Sequence, residues 1–210
     1  MHAWRSSVST FHFFDVFAEV SESDIYSISQ QAELREYVVG EVLVEQNETS
    51  DWVYFIISGV VGLFKNTRAN TVERYEPNKI LVQVLKANDA IGDAGLLMSF
   101  RYRCTIKAIT EIKVLAIPKE ALAKLALSNM SVSNKLMNRV SAKFLDALEA
   151  FDKTQGHISE RIDILAKDFL ALGIDINQYF TKTHIAEMLG VSRVSVSTMF
   201  NHLDVQSSTE

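Results

Sequence analysis

The chain has 210 residues, 48 % of them hydrophobic, with 21 Lys+Arg against 26 Asp+Glu and a formal charge of −5. This length allows one large or two smaller domains with real cores, and the acidic balance excludes a global basic field, so any nucleic-acid contact must be local. The single cysteine, Cys104, excludes an internal disulfide framework, a thiolate zinc site and a four-cysteine iron–sulfur cluster within one chain.

Met1 to Phe17 carries only Arg5 as a basic residue and has no signal-peptide-like apolar run, and no segment approaches 18 uninterrupted apolar residues. A cytoplasmic protein with no membrane span is expected. Phe11, Phe13, Phe14 and Phe17 form an aromatic cluster around His12. His12 has no second metal ligand at a recognisable spacing. Ser21, with Asp24 three residues later, resembles a helix cap, and Ile25, Ile28, Ala32 and Leu34 predict a short amphipathic helix.

From Tyr37 the texture changes. Tyr37–Val39, Val42–Val44, Trp52–Ile57, Val60–Phe64, a segment at Tyr75, Ile80–Leu85, Cys104–Thr110 and Val114–Ile117 are short β-branched and aromatic runs separated by turn residues. They predict an antiparallel roll or barrel. Pro118 ends it, and Lys119 to Leu127 reads as a brief helix.

The next stretch organises the chain. Met130, Met137, Phe144, Phe151, Ile158 and Leu165 recur every seven residues, interleaved by Val140, Ala147 and Thr154, with Lys135, Arg139, Lys143, Asp146, Glu149, Asp152 and Lys153 in the gaps. A seam this narrow suits one partner helix. Two readings follow: a core helix of one globular unit, or a dimer seam through Met137, Val140, Phe144, Ala147 and Phe151. Gly156 weakens a helix interior by about 1 kcal/mol, so a break near Gly156-His157 is expected. Arg161 to Gly173 predicts another amphipathic helix with Gly173 as its C-cap.

The twenty residues Lys182 to Asn201 carry the most specific pattern. Ala186 is small where a second helix crosses, Gly190 permits a left-handed turn, and Ile185, Leu189, Val191, Val196 and Met199 are the apolar positions that lock two helices at a steep angle. Ser192 can cap the second helix. This is the pattern of a helix-turn-helix. Ser192, Arg193, Val194, Ser197, Thr198 and Asn201 then face outward toward a DNA major groove. Arg193 suits guanine, Val194 a thymine methyl, and Ser197 or Asn201 a base or phosphate. The formal charge of the twenty residues is +1 (Lys182 and Arg193 against Glu187), weak for one module, so a dimer that doubles the contacts is physically attractive.

A roll, a long seam helix and a C-terminal helix-turn-helix, in that order, resemble the cAMP receptor protein/FNR family of bacterial transcription regulators, over about Phe11 to Leu203. The roll matches through Tyr37-x-x-Gly40-Glu41-x-Leu43, Tyr54–Gly59, and Ile91-Gly92-Asp93-Ala94-Gly95-Leu96-Leu97 followed by Arg103-Cys104-Thr105. The last stretch resembles the phosphate-binding cassette of cyclic-nucleotide domains. In such a cassette a carboxylate accepts from the ribose 2′-hydroxyl, while helix-opening amides and one arginine hold the cyclic phosphate. The resemblance implies an effector site at Gly92, Asp93, Ala94, Gly95, Arg103 and Cys104. Asp93 stands where nucleotide binders carry Glu, Cys104 replaces Ser, and Asp146-Ala147 align with an adenine-contacting Thr-Ser pair. The alternative is that Gly92 to Leu97 is only a corner of the roll and Arg103 pairs with a nearby carboxylate.

The family often reads S-R-E-T-V-x-R in the recognition helix, where this chain has Ser192-Arg193-Val194-Ser195-Val196-Ser197-Thr198, so a different operator is expected. Only Asp204 to Glu210 remain for the family's β-hairpin wing, too few to form one, so either the wing is lost or the chain is a truncated product. FNR's N-terminal cluster-binding cysteines are lacking, so no iron–sulfur cluster is expected. His2, His12, His157, His184 and His202 suggest no clear haem ligand.

The expected fold is α+β: an antiparallel cyclic-nucleotide-binding-like jelly roll (residues 1–127), a dimerisation helix and hinge (128–156) and a helix-turn-helix domain lacking its wing (157–210). The expected function is homodimeric transcription regulation at a palindromic duplex-DNA operator, under a small effector other than cAMP, either another cyclic nucleotide or a different small molecule. RNA polymerase is a candidate partner. The competing reading is a ligand-binding module with a vestigial helix-turn-helix, favoured by the acidic pI of 5.6 and the short C-terminus. No catalytic triad or metal-ligand spacing converges, so no enzyme is expected.

Overall fold

The computed structural model describes residues 4–5, 8–49, 51–67, 78–96, 100–153, 157–176 and 180–199. The strand expected at Tyr75, the hinge residues 154–156 and the seven-residue C-terminus fall outside them. The chain divides into two compact units, residues 1–63 with 84–146, and residues 64–83 with 147–210.

Among the described residues nine strands form two sheets. β1 (Trp4–Arg5), β2 (Glu33–Tyr37), β9 (Ile112–Pro118), β4 (Trp52–Ser58) and β7 (Ala90–Ile91) lie in that order in one sheet. The second contains β3 (Val42–Val44), β8 (Thr105–Ala108), β5 (Val61–Thr67) and β6 (Asn78–Leu85), also in that order. The registered neighbours β1–β2, β2–β9, β3–β8, β4–β7 and β4–β9 are all antiparallel.

Period-two alternation divides the buried residues of the first sheet. Tyr37, Tyr54, Ile56, Ile91, Ile112, Val114 and Ala116 belong to one core with Val44, Ile106 and Ala108 from the second sheet. Val53, Phe55, Ala90, Leu115 and Ile117 pack with the helices on the other face. Those helices are α1 (Val8–Phe11), α2 (Glu22–Ser29), α3 (Lys119–Ser128) and the start of α4 (Met130–Lys153). Phe11, Phe14 and Phe17 of the phenylalanine cluster are core, Phe14 and Phe17 packing their rings 5.2 and 5.3 Å from Phe55, while Phe13 is exposed. His12 is exposed. Ser21 caps α2, its Oγ accepting from the Asp24 amide at 3.2 Å.

One expectation fails at the first major strand. The sequence pattern places Ala32 and Leu34 in a helix and Val38-Val39 in a strand. Instead α2 stops at Ser29 and β2 runs Glu33–Tyr37, leaving Val38 and Val39 exposed in a turn. The cause is satisfied charge. Arg35 donates from Nε to Glu33 at 2.8 Å and lies 4.0 Å over the Trp52 ring, so a strand written Glu-Leu-Arg-Glu-Tyr can turn an arginine inward. Burial pulls the Arg35 guanidinium down, but hydrogen bonds to Glu33 and Tyr37 together with charge interactions with Tyr54 and Glu33 outweigh it and the net shift is upward. The strand expected from Cys104 to Thr110 is shorter, Thr105–Ala108.

After α4 come α5 (Ile158–Ala171) and α6 (Lys182–Leu189), and residues 193–199 are helical. Among the described residues no helix is long and apolar enough to cross a membrane.

Candidate functional site

The cassette turn follows β7. Gly92 takes φ +90°, a left-handed conformation that a side chain would strain, and a 3₁₀ turn, Asp93–Gly95, follows. The Gly95 amide donates to Gly92 O at 3.1 Å, and the Ala94 amide to Asp93 Oδ1 at 3.1 Å. A Cβ on Gly92 would lie 2.5 Å from the Tyr102 hydroxyl, and one on Gly95 would lie 1.9 Å from the Phe100 ring. Both glycines therefore let the 100–102 segment lie close. Phe100 and Tyr102 pack their rings 5.0 Å apart, with the Lys119 ammonium 5.1 Å from the Phe100 centroid. Burial pushes Lys119 down, against a smaller upward pull from Asp51.

The turn thus places Gly92, Asp93, Ala94 and Gly95 together, with Tyr102 packed on it. Arg103 is exposed and Cys104 half-buried on the bend that leads into β8. The carboxylate is engaged from elsewhere. Asp93, its side chain 2 % exposed, receives the Lys143 ammonium at 2.6 Å on Oδ1 and 2.8 Å on Oδ2. Lys143 also donates to the Ala90 carbonyl. Short charge-assisted bonds to a buried carboxylate are what a stable ion pair requires.

Lys143 is the residue that sequence reasoning misses, because it falls in the charged gaps of the heptad pattern. The available signal was its spacing. Lys135, Arg139 and Lys143 recur every fourth residue and so share one face of α4. Lys135 donates to Asp15 O at 2.9 Å and pairs with Glu19 at 3.1 Å. Arg139 pairs with Asp15 at 3.2 Å and donates to Asn88 O. Val132 and Leu136, buried in the same core as α1–α3, complete the docked face. Ser131 donates to Glu19 at 2.7 Å, and this bond, with Lys135, holds the Glu19 carboxyl below the usual carboxylate range.

At about 100° per residue, Met137, Phe144 and Leu148 lie on the other side of the helix. Met137 is 67 % exposed, Phe144 63 %, and Val140 borders them at 36 %. The side chains of Ala147 and Phe151 lie outside the described residues.

In the C-terminal unit, α6 begins after Thr181, whose Oγ1 accepts from the His184 amide at 3.2 Å. It ends at Gly190, φ +65°, where the Val191 amide donates back to Ala186 O at 2.9 Å. Such a closing bond needs the left-handed residue that glycine supplies. Ser192 Oγ accepts from the Ser195 amide at 3.0 Å and caps the following helix. Ile185, Ala186, Leu189 and Val196 are buried as expected, together with Ile162 and Phe169 of α5. Arg161 donates to Leu189 O at 2.6 Å. Ser192, Arg193, Val194 and Thr198 are exposed and Ser197 is half-buried. Asn201 lies outside the described residues.

Residues 34–129 match the cyclic nucleotide-binding domain family, a span that takes in most of the roll and its cassette turn. The resemblance to the CRP/FNR family is borne out by relatives along most of the chain. An HTH-type transcriptional regulator Cmr of Mycobacterium tuberculosis is 20 % identical over 188 residues, 89 % of this chain and 72 % of that protein. A CRP-like cAMP-activated global transcriptional regulator of the same species is 21 % identical over 191 residues, covering 87 % and 82 %. The fold matches a crystal structure of a regulator assigned to the crp/fnr family from Eubacterium rectale, with a TM-score of 0.77 at 16 % identity over 93 % of this chain and 88 % of that one.

Proposed function

We propose that the protein is a homodimeric DNA-binding transcription regulator governed by a small effector in the β-roll. The observation that carries this reading is the division of α4. One face is fastened to its own roll by Val132, Leu136 and three cations, while Met137, Phe144 and Leu148 stand open on the other. A helix docked on one side and apolar on the other suits a second copy, related by a two-fold axis. Two corners built from α6 and residues 193–199 would then present Ser192, Arg193, Val194, Ser197, Thr198 and Asn201 to successive major grooves about 34 Å apart. The names of the relatives, an HTH-type regulator and a cAMP-activated one, point the same way. Cyclic nucleotides are the first effector class to test, with Gly92 to Gly95, Arg103 and Cys104 as the site. Asp93 and Cys104 favour a member other than cAMP.

Two measurements test the reading. Sedimentation should give a dimer at micromolar concentration, and selection from random duplexes should enrich a palindrome. A monomer at every concentration, with or without effector, removes the two-fold mechanism. Recovery of no sequence leaves a ligand-binding module whose two-helix corner is only a packing element.

A further inference from the structure

We propose that Lys143 is an internal ligand of the cassette. Its ammonium holds the carboxylate that a sugar hydroxyl would use, and so ties the roll to the docked face of α4, one residue before Phe144 of the open face. This rests on the reading above that the roll takes an effector.

The geometry is specific. A carboxylate offers about four lone-pair positions. At Asp93 the Lys143 ammonium takes one on each oxygen and the Ala94 amide takes a further one on Oδ1. The side chain is 2 % exposed, so water does not compete for what is left. Lys143 is secured in turn by the Ala90 carbonyl, on the strand that leads into the turn. A ligand hydroxyl therefore meets a carboxylate already neutralised, and binding well requires the ammonium to move. Lys143 directly precedes Phe144 in the sequence, and Phe144 is exposed on the side proposed as the seam. Displacing the ammonium releases the third cation of the 135/139/143 row and changes how firmly the helix is held beside Phe144. Occupancy of the turn and presentation of the seam are thus linked through one side chain, as a population shift requires.

The test uses the full chain and the variants K143M, which keeps an unbranched stem without charge, D93N, and K143M/D93N. Hydrogen exchange is read first. K143M and D93N should each speed exchange at Asp93 to Leu96 and around 140–146 by about tenfold, and the double variant should add little to either. Wild-type rates in both single variants overturn the proposal. Calorimetry with cAMP and 2′-deoxy-cAMP is read second. K143M should bind cAMP at least about tenfold tighter than wild type, because the internal competitor is gone, with no matching gain for the 2′-deoxy compound. Equal cAMP affinity in wild type and K143M, or an equal gain for both nucleotides, overturns the competition. Faster exchange with no nucleotide bound by any variant supports the tie and overturns the competition with a nucleotide's sugar hydroxyl.

Discussion

The two faces of α4 both carry apolar residues but lie in opposite surroundings. Val132 and Leu136 are buried against the roll, while Met137 and Phe144 are more than half exposed. What separates them is where the charges stand. Lys135, Arg139 and Lys143 lie beside the buried aliphatics and reach carbonyls and carboxylates of the roll. Long cationic side chains can lay apolar stems on a surface and send their heads to fixed acceptors. The heptad arithmetic of a seam therefore describes only half of such a helix. The other half is defined by a four-residue repeat of cations.

Substitutions that treat the two faces alike would break this contrast. The largest effect is expected for Leu136→Ala, which should lower unfolding stability by about 3 kcal/mol, against less than about 0.5 kcal/mol for Met137→Ala in the monomer. Equal losses by denaturant titration would show that α4 is not docked on one side. Phe144→Asp should leave that stability nearly unchanged yet weaken self-association by about 30-fold or more, read by sedimentation over a concentration series. An unaltered dissociation constant would move the seam elsewhere. Smaller still, Arg139→Met should cost about 1.5 kcal/mol through lost charged hydrogen bonds, while Asp146→Asn, on an exposed carboxylate, should be silent.

The smallest effect concerns pH. Glu19 is held below the usual carboxylate range by Ser131 and Lys135, so its contribution is present above the unfolded carboxylate pKa and is lost as pH falls through the depressed folded value. Acidification below the carboxylate range should speed amide exchange at the start of α4, and Glu19→Gln should remove that acid dependence.

Much of the architecture was legible because local chemistry and fold agree. The Ser21 cap, the left-handed Gly190 and the buried Ala186 and Val196 each perform the task their residue type suggests. The misplaced strand β2 shows where legibility ends. Arg35 reads as a surface residue until Trp52 and Glu33, distant or charged in the sequence, are brought against it. Lys143 was hidden for the same reason, since its partner Asp93 lies fifty residues earlier. Charge satisfied at long range leaves no periodic trace, whereas apolar burial does.

Trp52 is one of only two tryptophans in the chain. It lies beneath a guanidinium on the strand that pairs with β7 just ahead of the cassette turn. Its ultraviolet emission is therefore an optical gauge of the roll's interior: with Trp4→Phe removing the other indole, any rearrangement that lifts Arg35 off the ring registers as a change in colour or intensity, with no dye attached.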